Sequence, residues 1–327
     1  MSESNPTVSI VVAMFNEIDW IEACIDAFGA QDYPLDLLDV VIADGGSDDG
    51  SRELVERLAE TRSWLRMVDN PKRKASAAFN RGIEAARGDV ICIVGAHAAV
   101  GPDFVARSVR ALNDTGAGGV GGQLLHEGVT RTQQAIGLAM TSRLGMASPF
   151  RYSTERAEVD TIGHPAYRRE VLEEVGSFDE SLERNSDYEL NHRIRSAGHT
   201  LVFDPEIVTL YRPRATLGAL ARQFYDYGKG KADVAKTHPG SMQPRHYVAP
   251  VATIGLALAP LLALSRPGRR LLAAGAIGYL GVLAAALVTS RPDRHDADPV
   301  AFVAAFPVMH FTWGAGFVQS RLKPRSV

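Results

Sequence analysis

The last quarter of the chain contains three long stretches without any Asp, Glu, Lys or Arg, and these stretches restrict the fold most. They cover residues 247–265, 271–290 and 299–319 of a chain of 327 residues. Each is about as long as one membrane crossing, which needs roughly 20 apolar residues. A buried helical core could explain one such stretch. Three in tandem, separated by short polar loops, predict a membrane-associated region.

The charges around these stretches favour two crossings over three. Residues 266–270 and the tail 321–326 are basic, whereas residues 291–298 are of mixed charge. Basic loops tend to stay on the cytoplasmic side, and three crossings would place both basic stretches away from the soluble domain. We therefore expect residues 247–265, which two prolines interrupt, to lie in the interface or to re-enter. Residues 212–246 carry seven Lys and Arg against two Asp, which suits an anionic lipid surface.

The overall composition is that of an ordinary folded protein. The chain is 46% hydrophobic and 22% charged, with a formal net charge of -3. It can bury a large core, and no nucleic-acid partner is expected from its charge or motifs. Cys24 and Cys92 lie in apolar stretches, so we expect core residues of a reducing compartment and neither a disulfide nor a zinc site. The polar start MSESNPT shows no secretory signal.

Residues 7–235 alternate apolar runs with amphipathic segments. We predict strands at 7–15, 38–45, 64–70 and 90–95, and helices at 17–31, 48–60 and 76–87. This alternation predicts an α/β fold with a doubly wound, mostly parallel sheet. The first strand is not followed by G-x-G-x-x-G and no P-loop motif occurs, so the residues support neither a dinucleotide-binding fold nor a P-loop enzyme.

Polar side chains follow three of the predicted strands. They are Asn16 and Glu17 after the first strand, Asp44, Ser47 and Asp49 at the second, and His97 after the fourth. Ligands of open α/β sheets bind at the carboxyl ends of the strands, so these residues predict a binding crevice. Ser47 and Asp49 have an alternative interpretation, because such residues also cap helices.

Four motifs in order carry a resemblance to a known family. VSIVVAMFNE, IADGGSDDGS, NRGIEAARGD and SDYELNHRIRSAG resemble the motifs of family 2 glycosyltransferases of the GT-A fold, over about residues 7–235. VDTIGHPAYRREVLEEVGSFDE, ARQFYDYGKGKADVAKTHP and the hydrophobic tail resemble the membrane-attached, succinoglycan-type branch. The resemblance implies domains at 1–235, a GT-A-like nucleotide-sugar-binding sheet, and 236–327, a membrane-associated region with C-terminal hydrophobic helices.

The resemblance also implies roles for residues at the nucleotide. Asp44 would hydrogen-bond the base, and Glu17 would lie beside the nucleoside. Arg73, Lys74 and Asn80 would lie near the ribose and the phosphates. For Asn80 the alternative is a helix position that faces solvent, and for Arg73 and Lys74 it is a solvated loop.

His97 departs from the pattern of the family. Members normally end the fourth strand with Asp-x-Asp, whose last carboxylate binds a divalent metal at the diphosphate, and here the three positions are Gly95, Ala96 and His97. The resemblance implies Mn²⁺ or Mg²⁺ as a cofactor with His97 as its ligand. A neutral imidazole suits manganese or another transition metal better than magnesium. The alternatives are that His97 donates to the diphosphate directly, or only to a loop carbonyl.

The catalytic candidate lies in NSDYELNHRIRSAG. Inverting glycosyl transfer needs one base to take the proton of the acceptor hydroxyl, and the resemblance implies that this base is Asp187. Glu189 would orient the acceptor or hold Arg193, its i+4 neighbour. Helix capping is the alternative for Asp187. The cations Arg222, Lys229 and Lys231 are expected to neutralise the diphosphate or to face lipid.

These observations together predict a membrane-attached inverting glycosyltransferase of the hexosyltransferase type. Its donor would be a nucleotide sugar, UDP-linked by the family resemblance, and its acceptor a lipid-linked saccharide of exopolysaccharide or cell-surface glycan synthesis. The catalytic domain would face the cytoplasm at the cytoplasmic membrane. The alternative is a catalytically silent GT-A-like membrane scaffold that binds a nucleotide sugar or a partner enzyme, which the altered triplet at residues 95–97 would explain.

Overall fold

The structure is a computed structural model that describes residues 5–145, 153–292 and 296–323. The chain divides into two units by its internal contacts. Unit 1 comprises residues 1–125 and 153–211, and unit 2 comprises residues 126–152 and 212–327. The site residues up to Asp187 therefore lie in unit 1, and the cations of residues 222–231 lie in unit 2.

Four apolar runs form the parallel half of the sheet in unit 1. They are β1 (Val8–Met14), β2 (Leu38–Asp44), β3 (Leu65–Asp69) and β4 (Val90–Gly95), in the order β3-β2-β1-β4 and all parallel. Helices α1 (Ile21–Gly29), α2 (Ser51–Thr61) and α3 (Ala75–Ala85) connect them. Strands buried on both faces read as unbroken apolar runs, which is why the sequence predicts them well.

The sheet continues beyond β4 with strands that are not parallel. The further elements, in chain order, are β5 (Ala99–Val100), α4 (Phe104–Thr115), β6 (Gly119–His126), α5 (Arg131–Thr141, in unit 2), β7 (Ala157–Glu158), β8 (Ala166–Arg168), α6 (Arg169–Val175), α7 (Ser186–Ser196) and β9 (Leu201–Tyr211). Strand β8 lies between β4 and β6 and is antiparallel to both. The sheet is therefore mixed. The predicted crevice corresponds to the carboxyl ends of its parallel strands.

Cys24 and Cys92 belong to the core of unit 1. Both thiols are free, and burial raises the pKa of each to about 12, with the charge of Glu17 a lesser cause at Cys24. A thiol with so high a pKa is a poor nucleophile and a poor metal ligand at neutral pH. The two residues are packing residues.

Unit 2 contains the apolar C-terminal stretches. Helix α8 (Leu217–Thr237) is followed by α9 (Val248–Ala257), α10 (Ala259–Leu262), α11 (Arg266–Ser290) and α12 (Pro299–Leu322). The stretch 247–265 thus forms two short helices, each shorter than a membrane crossing. Among the described residues, α11 and α12 are the two helices long and apolar enough to cross a membrane. On α11, Leu271, Ile277 and Leu280 are at least 64% exposed.

Helices α8 and α12 pack with their backbones in close contact. A Cβ at Gly316 would lie 2.0 Å from the carbonyl oxygen of Tyr225, and a Cβ at Gly228 would lie 2.0 Å from that of Trp313. Small residues permit such an approach. A polar cluster lies at the carboxyl-terminal end of both helices. There Lys236 Nζ donates to Ser320 Oγ at 3.0 Å, and Ser320 Oγ donates to Asp233 Oδ1 at 2.6 Å.

Candidate active site

The carboxyl ends of β1, β2 and β4 meet at one edge of unit 1. Met14 pairs with Asp44 across β1 and β2, and Ala13 pairs with Gly95 across β1 and β4. The loops that follow these three strands therefore begin side by side. The polar residues that the sequence places after the strands all start from this edge.

Asp44 is a buried carboxylate at the end of β2, with 1% of its surface exposed. Ser47 Oγ donates to Asp44 Oδ1 at 2.7 Å, and Arg52 Nη1 donates to Oδ2 at 3.0 Å. Arg52 also binds Asp69 at 2.8 Å, and hydrogen bonds to Asp69 and then Asp44 raise the pKa of its guanidinium. This arrangement holds the Asp44 carboxylate in place as a hydrogen-bond acceptor at the end of β2. Sequence reasoning missed Arg52, which stands eight residues on in the first turn of α2.

Ser47 and Asp49, whose roles the sequence left open, both hold loops together. Asn16 N donates to Ser47 Oγ at 2.9 Å, so Ser47 connects the loops after β1 and β2. Asp49 accepts from Ser51 Oγ at 2.5 Å, from Ser51 N at 3.0 Å and from Ile18 N at 3.0 Å. The bonds from Ser51 and Ile18 lower the pKa of Asp49. Asp49 therefore accepts from the first backbone N–H of α2, from the position before its N-cap Gly50.

Glu17 and His97 face each other across the ends of β1 and β4. His97 Nδ1 lies 3.2 Å from Glu17 Oε1, and the side chains of His97 and Glu17 are 58% and 22% exposed. A Cβ placed on Gly95 would lie 3.7 and 3.8 Å from Cε1 and Nε2 of the imidazole. The imidazole ring therefore lies next to Gly95, and a side chain at position 95 would contact it.

The residues at this edge fit a metal ion only in part. Among the residues that the structure describes, no group of three or more His, Cys, Asp or Glu could hold an ion. A metal-binding imidazole commonly donates its second ring nitrogen to a carboxylate, and Glu17 takes that position toward His97. The described residues at this edge thus offer an ion one imidazole nitrogen of His97 and no complete set of ligands.

The loop after β3 carries the three successive cations Lys72, Arg73 and Lys74. Arg73 has a positive φ of 55°, and its guanidinium lies 5.3 Å from the ring centroid of Phe15, at the end of β1. Asn70 N donates to Asp44 O at 2.7 Å, so the loop after β3 begins next to the end of β2. The contact with Phe15 brings Arg73 to the mouth of the crevice, where its charge is exposed.

Asn80 has a partner that sequence reasoning did not foresee. Its amide donates to Phe178 O at 2.9 Å and accepts from Phe178 N at 2.8 Å, so it holds the loop that leads to α7. Lys74 Nζ donates to Glu180 O at 3.2 Å, and Lys72 binds the Glu180 carboxylate at 2.5 Å. The hydrogen bond from Lys72 is the main cause of a lowered pKa at Glu180. The loop after β3 is thereby connected to the loop before Asp187.

Helix α7 begins next to the segment that leads into β8. Asn191 donates to Thr161 Oγ1 at 2.9 Å and accepts from the buried Tyr167 hydroxyl at 2.7 Å. Ile93 N, near the end of β4, donates to Pro165 O at 2.8 Å. These contacts place α7 beside β8 and the segment before it, and β8 is the neighbour of β4 in the sheet. Burial, and then the charge of Asp187, raise the pKa of Tyr167 well above its usual value.

The two carboxylates of the first turn of α7 differ in their surroundings. Asp187 is exposed, whereas Glu189 is 2% exposed. Arg193 binds Glu189 with two hydrogen bonds of 2.7 and 2.9 Å and also donates to Gly176 O at 2.9 Å and Ser177 O at 2.6 Å. Of the two roles expected for Glu189, the structure therefore shows that it holds Arg193. Of the two carboxylates, Asp187 is the one that solvent can reach.

The three cations of α8 differ in exposure within unit 2. Arg222 is exposed, Lys229 is half-buried and Lys231 is buried, with 4% exposed. Burial, and then the charges of Lys231 and Arg245, lower the pKa of His246 to about 3. Lys231 is thus an interior residue of unit 2, near His246. Its expected role at the diphosphate stays a prediction, as do those of Arg222 and Lys229.

Comparison with known proteins identifies relatives by sequence similarity. Residues 9–176 match the family described as Glycosyl transferase family 2. The succinoglycan biosynthesis protein ExoA of Rhizobium meliloti is 34% identical over 96% of this chain and 94% of its own length. The glycosyltransferase AglE of Haloferax volcanii is 25% identical over 72% of this chain and 76% of its own.

Solved structures share the fold. The mannosyltransferase PcManGT of Pyrobaculum calidifontis, in complex with GDP-Man and Mn²⁺, matches 94% of this chain and 88% of its own with a TM-score of 0.61 and 24% identity. Residues 1–349 of S. aureus TarS, in complex with UDP-GlcNAc, match 96% of this chain and 91% of their own, with a TM-score of 0.55 and 14% identity. The expected α/β sheet of the GT-A type is confirmed, and the chain belongs to glycosyltransferase family 2.

Proposed function

We propose that the protein is a membrane-attached, inverting glycosyltransferase of the hexosyltransferase type. Its donor is a UDP-linked or related nucleotide sugar, and its acceptor is a lipid-linked saccharide of exopolysaccharide or cell-surface glycan synthesis. The family supports the reaction class. The name of ExoA, which is similar over nearly the whole chain, supports the synthesis of exopolysaccharide.

The observation that carries the proposal is the contrast between Asp187 and Glu189. A general base must reach the acceptor hydroxyl, and it must be ready to accept a proton. Glu189 is buried and its two oxygens bind Arg193, so it meets neither condition. The exposed position of Asp187 in the first turn of α7 supports the assignment of the base to this residue.

The proposed donor site uses the edge of β1, β2 and β4. Asp44 accepts an N–H of the base, and Arg73 lies with Phe15 at the mouth beside the nucleoside. Lys74 and the neighbouring Lys72 supply positive charge near the diphosphate while they hold the loop of Glu180. A divalent cation, bound at His97, would offset the negative charge of the diphosphate.

In the transfer step the acceptor oxygen attacks the anomeric carbon from the face opposite the nucleotide. Asp187 takes the proton of that hydroxyl as the new carbon–oxygen bond forms. The bond between the anomeric carbon and the diphosphate oxygen breaks, and the electron pair leaves with the nucleoside diphosphate. One displacement by this route inverts the anomeric centre.

The membrane attachment rests on α11 and α12 and on the exposed apolar side chains of α9 and α10. Val251 and Leu261 on the latter two helices are 65% and 66% exposed. Lipid would cover these side chains, and the bilayer would confine a polyprenyl-linked acceptor to the same surface. We propose a cytoplasmic orientation, from the basic residues 266–270 and the basic tail.

The test is Asp187→Asn in the full-length protein in membranes, with UDP- and GDP-sugars as donors. We expect release of nucleoside diphosphate to fall by about 10²–10⁴-fold, because the change removes the base and keeps the size of the side chain. Binding of the donor, measured by calorimetry in detergent, should stay within about twofold of the wild type, a difference of about 0.4 kcal/mol. The control Glu183→Gln changes an exposed carboxylate of the preceding loop and should retain activity.

Three outcomes would contradict parts of the proposal. If Asp187→Asn keeps most of its turnover, the base is another residue. If the wild type binds nucleotide sugars but releases no nucleoside diphosphate with a lipid extract as acceptor, the silent scaffold is the better description. Release of the protein from membranes by a carbonate wash would contradict membrane insertion.

A further inference from the structure

Arg52 bridges the carboxyl ends of two neighbouring strands. Asp44 and Asp69 pair across β2 and β3, and each is the last residue of its strand. Arg52 Nη1 donates to Asp44 Oδ2 at 3.0 Å and to Asp69 Oδ1 at 2.8 Å. Arg52 Nε donates to Glu56 Oε1 at 3.1 Å. Three carboxylates therefore hold this guanidinium at the strand ends, where ligands of such sheets bind.

The guanidinium of Arg52 keeps donors for a ligand. An arginine has five N–H groups, and the three contacts use the one on Nε and the two on Nη1. Among the residues that the structure describes, Nη2 has no hydrogen-bond partner. The Arg52 side chain is 34% exposed, whereas that of Asp44 is 0% exposed. A ligand that approaches this end of β2 therefore meets the guanidinium before it meets the carboxylate.

The Asp44 carboxylate has little capacity left for a ligand. Its two oxygens offer about four acceptor sites. Ser47 N at 3.1 Å and Ser47 Oγ at 2.7 Å occupy Oδ1, and Arg52 Nη1 occupies one site of Oδ2. About one site remains, on Oδ2 beside the guanidinium. One N–H group next to one carbonyl group would complement this pair of residues.

The common nucleobases differ in whether they offer such an edge. Uracil and guanine place a carbonyl oxygen next to a ring N–H group, whereas cytosine and adenine place an amino group next to a ring nitrogen without a proton. With the latter two bases, the amino group would face the donors of Arg52, and the lone pair of the ring nitrogen would face Asp44. Guanine carries a further amino donor, for which Asp44 has no site left.

We propose that Arg52 is a specificity-determining residue that selects uracil as the base of the donor, by donating from Nη2 to the carbonyl oxygen at C4 of the base. Asp44 accepts from the N3–H group, and Asp69 positions Arg52. The inference rests on the proposed function, because it assumes that a nucleotide sugar binds at this edge of the sheet. It adds to that function the identity of the base and the residue that reads it.

The test compares nucleoside diphosphates by titration calorimetry on the full-length protein in detergent. UDP, GDP, CDP and ADP are titrated in one buffer that contains Mn²⁺, so the contribution of the diphosphate cancels in each ratio of Kd values. We expect UDP to bind about 10–100-fold more tightly than CDP or ADP, because a hydrogen bond to a charged group has an effect of this size. UDP should bind about tenfold more tightly than GDP, which leaves one amino donor unpaired.

Two modified nucleotides separate the two hydrogen bonds. 4-Thio-UDP replaces the C4 oxygen by sulfur, a weaker acceptor, and N3-methyl-UDP removes the N–H group. The wild type should bind each of them about tenfold more weakly than UDP. In Arg52→Ala the loss with 4-thio-UDP should disappear, whereas the loss with N3-methyl-UDP should remain. A role of Arg52 in folding alone would weaken all nucleotides alike and would not change these ratios.

Three further variants assign the selectivity to Arg52. Arg52→Lys keeps the positive charge beside Asp44 but lacks the planar set of donors, so it should show less selectivity for UDP over CDP than the wild type. Asp69→Asn weakens one of the contacts that hold Arg52 and should lower this selectivity severalfold. The matched control Arg57→Ala removes an exposed arginine of the same helix and should leave the selectivity unchanged.

The results that overturn the inference differ from those that overturn the function. Equal Kd values for UDP and CDP in the wild type, or the same loss with 4-thio-UDP in Arg52→Ala as in the wild type, reject the role of Arg52. Tighter binding of GDP than of UDP rejects the choice of uracil. Failure of the wild type to bind any nucleoside diphosphate rejects the donor site itself. Circular dichroism verifies the fold of each variant, and if Arg52→Ala is unfolded, Arg52→Lys takes its place in the comparison.

Discussion

Replacing Arg193 by alanine should destabilise unit 1 more than any exposed arginine can. The change removes both hydrogen bonds to the Glu189 carboxylate, whose side chain is 3% exposed, and leaves the carbonyls of Gly176 and Ser177 without this donor. Breaking a buried ion pair from one side costs about 3–5 kcal/mol. Because the Arg193 side chain is 23% exposed, water can replace part of its contacts, and we expect about 3 kcal/mol, at the lower end of that range.

The assay is thermal unfolding of the full-length protein in detergent, followed by circular dichroism. For a domain of this size, about 3 kcal/mol corresponds to a decrease of about 6–12 °C in Tm. The matched control is Arg81→Ala, which breaks an exposed i,i+3 pair with Glu84 and should cost about 0–1 kcal/mol. The double variant Glu189→Gln with Arg193→Ala should unfold at a higher temperature than Arg193→Ala alone, because no buried charge remains. Equal shifts for Arg193→Ala and Arg81→Ala would refute this reasoning.

Two further predictions concern unit 2. The pKa of His246 falls from 6.5 to about 3 on folding. Between pH 6.5 and pH 3 the imidazole is therefore protonated in the unfolded chain and neutral in the folded one. The free energy of unfolding should thus decrease as the pH falls below 6.5. From pH 7 to pH 5 the decrease should be about 1 kcal/mol after allowance for partial exposure of the side chain. Tm values measured over this pH range should show the decrease in the wild type and not in His246→Asn. Gly316→Ala should lower Tm, because the new Cβ would clash with the backbone of Tyr225. The control Gly278→Ala on α11 should leave Tm unchanged, because a Cβ there has no neighbour within 4 Å. Equal effects of the two changes would contradict the close contact of α8 and α12.

The parallel half of the sheet could be predicted from sequence, and the mixed half could not. Strands β1 to β4 are continuous apolar runs between amphipathic helices, so their pattern is local. Strand β6 contains three glycines and β8 is three residues long, and their place depends on pairing with distant strands. No local pattern in the chain describes such pairing.

The site was predictable where its residues follow a strand. Asp44, Glu17 and His97 stand directly at or after strand ends, and the structure brings all three to one edge. Arg52 and Glu180 were not predicted, because exposed charged residues on helices and loops are common and have no periodic signal. The partner of Asn80 lies 98 residues away, so only the folded chain reveals it.

The contact between α8 and α12 has a consequence for how much of α12 lipid could reach. About 44% of the apolar stretch of α12 is buried inside the protein, against 6% of that of α11. Phe302, Phe306 and Met309 of α12 are each 0% exposed. A helix covered to this extent offers only part of its circumference to acyl chains, whereas α11 offers nearly all of it. The 25 residues of α11 rise about 38 Å, enough for a hydrocarbon core of about 30 Å. If unit 2 enters a bilayer, α11 is therefore the helix that lipid surrounds.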